Sequence, residues 1–88
     1  MSATATDALR SCLGFLDEMI ANPEGLDVEG LASVKAGIAS ALDGDLQGLG
    51  DAHATLTRML DGLEDDDLRD QLDEIELPLF LAIEETNA

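Results

Sequence analysis

The apolar residues recur every three or four positions in four successive segments of the chain, which is the pattern of amphipathic helices. The predicted helices span residues 6–22, 27–43, 45–61 and 65–85. Their connections are short, and short connections make consecutive helices antiparallel neighbours. We therefore predict an all-α fold, a compact antiparallel four-helix bundle. Residues 1–88 form one domain in this prediction, with a flexible arm at residues 1–5.

Capping residues mark where these helices begin and end. The predicted N-caps are Thr4 or Thr6 for the first helix, Asp27 for the second, Asp45 for the third, and Asp65, Asp66 or Asp67 for the fourth. Asn22-Pro23, Gly44 and Gly62 mark the ends of the first three helices. Pro78 lies inside the fourth, where it removes the amide that would donate to the carbonyl of Glu74. The fourth helix is therefore predicted to be kinked or broken near Pro78.

The second and third helices resemble each other in sequence. Residues 27–44 and 45–62 align at an offset of 18, with matching Asp, Gly, Leu and Ala positions and a shared closing Leu-Asp-Gly. The apolar pairs Val28/Leu46 and Ile38/Leu56 match in kind. Residues 27–62 are thus a possible duplicated αα-hairpin, although capped helices of five turns share much of this pattern. Small residues dominate the second helix and favour a close approach to its neighbours.

The fourth helix changes character along its outer face. Leu68, Leu72, Ile75, Leu79 and Ile83 form one apolar stripe at helical spacing, predicted to face the core. The opposite face first carries carboxylates and then, within one turn, Leu77, Phe80 and Leu81. Three interpretations compete for this apolar end. It is covered by the N-terminal arm or the first helix beside Phe15, it joins a second copy of the chain, or it docks another protein.

The charge of the chain narrows the choice of partners. Twenty acidic residues against four basic ones give a formal charge of −16, yet 45% of the residues are apolar and can form a core. Such acidity disfavours direct contact with nucleic acid or with a membrane, because both are bound through Lys and Arg. It favours a basic protein surface. The composition is also of the halophilic type, in which acidity serves solubility in high salt.

Candidate chemistry is sparse. His53 is the only histidine, and it lacks the lysine and the glycine that follow the histidine of four-helix phosphotransfer domains. Residues 43–54 scan partly as an EF-hand loop but end at Ala54, where the bidentate glutamate is required. No serine follows an aspartate as in acyl carrier proteins. Cys12 falls on the core stripe of the first helix. We therefore predict no catalytic, cofactor-binding or metal-binding residues.

These patterns favour a small, non-catalytic, cytoplasmic protein that acts through protein–protein contact, as a homo-oligomeric helical bundle such as a homodimer. The predicted apolar contact residues are Leu77, Phe80, Leu81 and Phe15. One alternative is an acidic inhibitor that imitates nucleic acid, of the anti-CRISPR, anti-restriction or nuclease-immunity type. Its contact residues are Asp65, Asp66, Asp67, Asp70, Asp73 and Glu74. A further alternative is a phosphotransfer or carrier-type helical domain.

Overall fold

Four helices account for most of the chain in a computed structural model that describes residues 2–87. They are α1 (Ala3–Ala21), α2 (Val28–Leu42), α3 (Gln47–Asp61) and α4 (Asp66–Asn87). Residues 2–87 contain no strand, so the all-α prediction is confirmed. The Cα radius of gyration is 12.0 Å, which is the value of about 12 Å expected for a compact domain of this length.

The first helix begins earlier than predicted. Ser2 is its N-cap, and the Ser2 hydroxyl accepts a hydrogen bond from the amide of Ala5 at 3.1 Å. Ser2 also reaches the far end of the chain, because its hydroxyl donates to the carboxylate of Glu85 at 3.0 Å. These contacts correct the predicted cap at Thr4 or Thr6, and they place residues 3–5 of the predicted arm in the first turn of α1. Residue 1 of that arm lies outside the described residues.

Two of the other three helices begin at a predicted aspartate. The carboxylate of Asp27 accepts from the amide of Glu29 at 3.1 Å, and that of Asp65 accepts from the amide of Asp67 at 2.9 Å. The predicted cap at Asp45 is wrong, because Leu46 is the N-cap residue of α3 and its side chain makes no capping hydrogen bond. The carboxylate of Asp45 still accepts from the amide of Gln47 at 3.3 Å, and the helical conformation begins at Gln47, two residues later than predicted. Satisfying the first free amides of a helix in this way stabilises it by about 1 kcal/mol per cap.

The core is a single cluster of aliphatic side chains contributed by all four helices. Its largest fully buried members are Leu9, Leu16, Leu31, Val34, Ile38, Leu49, Leu56, Leu72, Ile75 and Leu79. Each helix packs on two others, α1 on α2, α2 on α3, α3 on α4 and α4 on α1. The predicted core stripe of α4 is confirmed, with Ile83 half-buried at its end.

The matched pair Val28 and Leu46 departs from the predicted pattern. Val28 is the first residue of α2 and Leu46 immediately precedes α3, and both are exposed. Leu26 is buried instead, although it lies in the connection after α1 and belongs to no helical pattern. The connection turns inward at Glu24 and Gly25, which have φ angles of 51° and 103°. The duplication of residues 27–62 stays a prediction.

Pro78 lies inside α4, which continues through it as one helix from Asp66 to Asn87. The predicted break at Pro78 is therefore not found. A kink there stays a prediction. The ring of Pro78 lines a groove beside Cys12 and Phe15 of α1. Pro78 thus lies on the side of α4 that faces α1.

Candidate interaction surface on the fourth helix

Three large apolar side chains of α4 are exposed together, and we call them the apolar patch: Leu77, Phe80 and Leu81. Their exposed fractions are 58%, 41% and 54%. Residues three and four apart lie on one side of a helix, so the three side chains adjoin one another on the outer face of α4. Among residues 2–87 the other exposed large apolar residues are Val28, at the start of α2, and Leu46, immediately before α3. The apolar patch is therefore concentrated in about one turn.

The apolar patch is uncovered although its neighbours in sequence are deeply buried. Leu79 and Ala82 are 0% exposed, on the opposite side of the same turns. The interpretation in which the N-terminal arm or the first helix covers the apolar end is consequently wrong. The N-terminal residues that were expected to cover it form the first turn of α1, with Ser2 bound to Glu85.

One edge of the apolar patch is held by α3. The ring of Phe80 lies against the imidazole of His53, with ring centroids 6.1 Å apart and an interplanar angle of 40°. Nε2 of His53 is 3.1 Å from Oε1 of Glu76, and since a carboxylate can only accept, this nitrogen donates. His53 thus forms a bridge between α3 and α4. Leu77 and Leu81, which directly follow Glu76 and Phe80 in sequence, are the more exposed members of the apolar patch.

Phe15 is not part of the apolar patch. It is half-buried on α1 and packs against the core. Its side chain lines a groove with Glu74, Ile75 and Pro78, on the side of α4 that meets α1. Phe80, by contrast, lies on the side that meets α3. Leu77, Phe80 and Leu81 thus adjoin one another on α4, whereas Phe15 lies half-buried on α1 beside Pro78.

The predicted acidic residues are all exposed on α4 or immediately before it: Asp65, Asp66, Asp67, Asp70, Asp73 and Glu74. Asp65 differs from the others because its carboxylate caps the helix by accepting from the amides of Asp67 and Leu68. Within the described part of the chain, none of the six forms an ion pair. At helical spacing Asp66, Asp70 and Asp73 lie in line with Leu77, so the carboxylates and the apolar patch share the outer face of α4.

The remaining reactive side chains do not assemble a site. Burial raises the pKa of the Cys12 thiol above its ordinary value of 9.0, which keeps the sulfur protonated and weakly nucleophilic. Cys12 belongs to α1 and His53 to α3, and between residues 2 and 87 these two helices do not pack on each other. No group of three His, Cys, Asp or Glu side chains in that range is arranged to hold a metal ion. None of the described helices is long and apolar enough to cross a membrane.

A groove of about 540 Å³ lies between α2 and α3 near the connection after α1. Its lining includes Arg58 and Met59 of α3, together with Asp27, Glu29 and Gly30 at the start of α2. The single arginine faces two carboxylates there, so the groove offers no net positive charge to an anion. The sequence does not predict this groove, because the groove depends on how far apart the ends of two helices lie.

Comparison of the chain with protein-family models, with curated proteins and with solved structures gives no match.

Proposed function

We propose that this protein is a non-catalytic helical domain that acts through protein–protein contact, with the apolar patch at the centre of its contact surface. The observation that carries the proposal is the exposure of Leu77, Phe80 and Leu81 within one turn of α4. Contiguous apolar surface bordered by polar residues is typical of interaction sites in soluble proteins. Removing such surface from water is favourable by about 25 cal/mol per Å².

The apolar patch is suited to contact because the helix that carries it is anchored in the core. It lies on a helix whose opposite side enters the core through Leu79 and Ala82. Phe80 is additionally held by His53. A side chain that is already ordered loses less conformational entropy when a partner covers it, so more of the burial energy appears as affinity. No such arrangement surrounds Val28 or Leu46, which lie singly at helix starts.

Self-association is one form that this function takes in our proposal. A homodimer related by two-fold symmetry would place one apolar patch against another. The high negative charge opposes it at low ionic strength and opposes it less in concentrated salt, where charges are screened. Light scattering at 0.05 M and 1 M NaCl tests this form. A mass that stays monomeric in both, at high protein concentration, would exclude it.

Crosslinking tests the contact surface itself. A photoreactive amino acid placed at Leu77 should produce a discrete crosslinked product in an extract of the source organism. The same amino acid placed at Leu46, another exposed leucine, immediately before α3, is the control. Products that are the same from both positions would refute a contact surface centred on α4.

The acidic inhibitor is a second candidate, favoured by the exposed carboxylates that precede the apolar patch on the same face. Asp66, Asp70 and Asp73 are spaced along the helix and lack partners of opposite charge among residues 2–87. In this proposal they occupy a basic cleft that normally binds phosphates. Changing all three to Asn should then abolish inhibition of the target, whereas Leu77→Ser should weaken it less. The reverse order would favour the apolar patch.

We also infer that the four helices run antiparallel to their neighbours. Ser2 at the start of α1 binds Glu85 near the end of α4, which supports opposite directions for these two helices. Arg69 near the start of α4 donates to the carbonyl of Leu63 just after α3, at 3.2 Å. The connections α2–α3 and α3–α4 have four residues each, a length typical of antiparallel neighbours.

A further inference from the structure

The apolar patch is too small to form a stable interface by itself. A standard interface buries about 800 Å² on each partner and involves roughly 20–30 residues a side. Three partly exposed side chains supply only its centre. The residues that adjoin the apolar patch must therefore take part in any contact, and their charge decides which partner is compatible.

Carboxylates adjoin the apolar patch at both ends. Asp73 and Glu74 lie four and three positions before Leu77, and Glu84 lies three positions after Leu81, so all three flank it on the outer face. Each of these side chains is exposed. Arg69, the basic residue of α4, points away from this face and donates to the carbonyls of Leu60 and Leu63. The order along α4 is thus acidic, apolar, acidic.

A second copy of the chain fits this order poorly. Whether two α4 helices meet in the same or in opposite directions, the carboxylates before the apolar patch face carboxylates of the other copy. Like charges held together in a contact disfavour the complex. A partner that carries Lys or Arg at the corresponding positions would instead form ion pairs with these carboxylates, around an apolar centre that excludes water.

We propose, building on the proposed function, that the apolar patch binds a basic amphipathic helix of another protein. The complementary helix carries apolar residues over about one turn, with Lys or Arg one turn before and one turn after them. Asp73 and Glu84 are eleven residues apart, which corresponds to about 16 Å along α4 at 1.5 Å per residue. A single partner helix lying along α4 spans both charged ends and the apolar centre. A helix that binds in this way makes contact through its residues at i, i+3, i+4 and i+7.

The experiment uses three synthetic helical peptides. The first has three leucines at i, i+3 and i+4, flanked on each side by two lysines. The second has the same lysines but serines in place of the leucines. The third has the leucines with glutamates in place of the lysines. Fluorescence anisotropy at 0.15 M NaCl measures binding, and the first peptide should bind at least about tenfold more tightly than either of the others.

Two double variants test whether the peptide binds the apolar patch or is only attracted by the net charge of −16. Neither variant changes that charge. Leu77→Ser/Leu81→Ser should weaken binding of the first peptide about tenfold or more. Val28→Ser/Leu46→Ser removes two exposed apolar side chains elsewhere and should change binding of the first peptide less than about twofold. Circular dichroism checks that both variants remain folded.

The outcomes distinguish this inference from the proposed function. Equal binding of the leucine and serine peptides, or equal loss in both double variants, overturns the inference because charge alone then holds the peptide. Preference for the glutamate peptide also overturns it, but leaves the apolar patch as a contact surface. A crosslinked homodimer through Leu77 that the lysine peptide fails to displace overturns the inference and supports the proposed function. Failure of both crosslinking and peptide binding overturns both.

Discussion

Gly37 of α2 and Gly48 of α3 bring two helix backbones into direct contact. A β-carbon added to Gly37 would lie 2.5 Å from the carbonyl oxygen of Gly48, and one added to Gly48 would overlap the carbonyl of Gly37. Neither helix can yield locally, since the obstructing atoms belong to backbone. The sequence predicts a close approach from the small residues of the second helix, and this contact is that close approach.

Gly48→Ala should therefore lower the free energy of unfolding by about 1–3 kcal/mol, the usual cost of overpacking a core. Gly50→Ala is the matched control in the same helix, where an added β-carbon meets nothing within 4 Å. Because alanine favours a helix over glycine, Gly50→Ala should raise the free energy of unfolding by about 0.5–1 kcal/mol. Urea denaturation of both variants measures the two changes. If Gly48→Ala stabilises the protein as Gly50→Ala does, the backbones of α2 and α3 are not in contact at Gly48.

Burial of the Cys12 thiol predicts a loss of stability in alkaline solution. Its pKa in the folded chain is raised above the ordinary 9.0 by desolvation. Between pH 9 and the raised value the unfolded chain has released the thiol proton and the folded chain still holds it. The free energy of unfolding therefore falls as pH rises in this range, by up to about 1.4 kcal/mol per pH unit.

Cys12→Ala removes this titration, and the chain contains no tyrosine to obscure the difference. Stability measured by urea denaturation from pH 7 to pH 10.5 should fall more steeply for the native sequence than for the variant. A thiol reagent at pH 8 should also modify Cys12 much more slowly in the folded than in the unfolded protein. Parallel pH profiles for the two proteins would show that Cys12 has an ordinary pKa.

The sequence was sufficient for the parts of the fold that depend on one helix at a time. The core stripe of α4 and the cap at Asp27 follow from spacing and side-chain chemistry alone. The cap at Ser2 was missed because Thr4 and Thr6 offer the same chemistry, and the bond from Ser2 to Glu85 joins the two ends of the chain. Leu26 was missed because its burial depends on how the connection turns.

The candidate site was predictable in composition but not in arrangement. Helical spacing placed Leu77, Phe80 and Leu81 together on the outer face of α4. It did not show which neighbouring helix lies on each side of α4, because that depends on the handedness of the bundle. Hence the sequence grouped Phe15 with the apolar patch, whereas the structure places His53 beside Phe80 and Phe15 beside Pro78.

The charge of the chain predicts a dependence of stability on salt. The molecule measures 34 × 22 × 19 Å, so at 0.01 M salt, where the Debye length is about 30 Å, carboxylates repel one another across most of it. At 0.15 M this length is about 8 Å. The free energy of unfolding should rise between these concentrations, by on the order of 1 kcal/mol.

A variant with Asp66, Asp67, Asp70 and Asp73 changed to Asn has four fewer negative charges and is the control. Its stability should depend less on salt than that of the native sequence, by denaturation in urea, which adds no ions. An unchanged salt dependence would mean that repulsion along α4 contributes little. Such a result would also weaken the case for the acidic residues as a charged contact surface.

Leu77 and Leu79 are two positions apart in α4, and we expect the same substitution to affect stability very differently at the two. Leu79 is 0% exposed within the core, so Leu79→Ala should lower the free energy of unfolding by about 2–5 kcal/mol. Leu77 is 58% exposed, so Leu77→Ala should change it by no more than about 0.5 kcal/mol. The apolar patch is then dispensable for folding, as a surface reserved for a partner should be. A large loss from Leu77→Ala in dilute solution, if it lessened on further dilution, would instead indicate a dimer whose stability depends on this leucine.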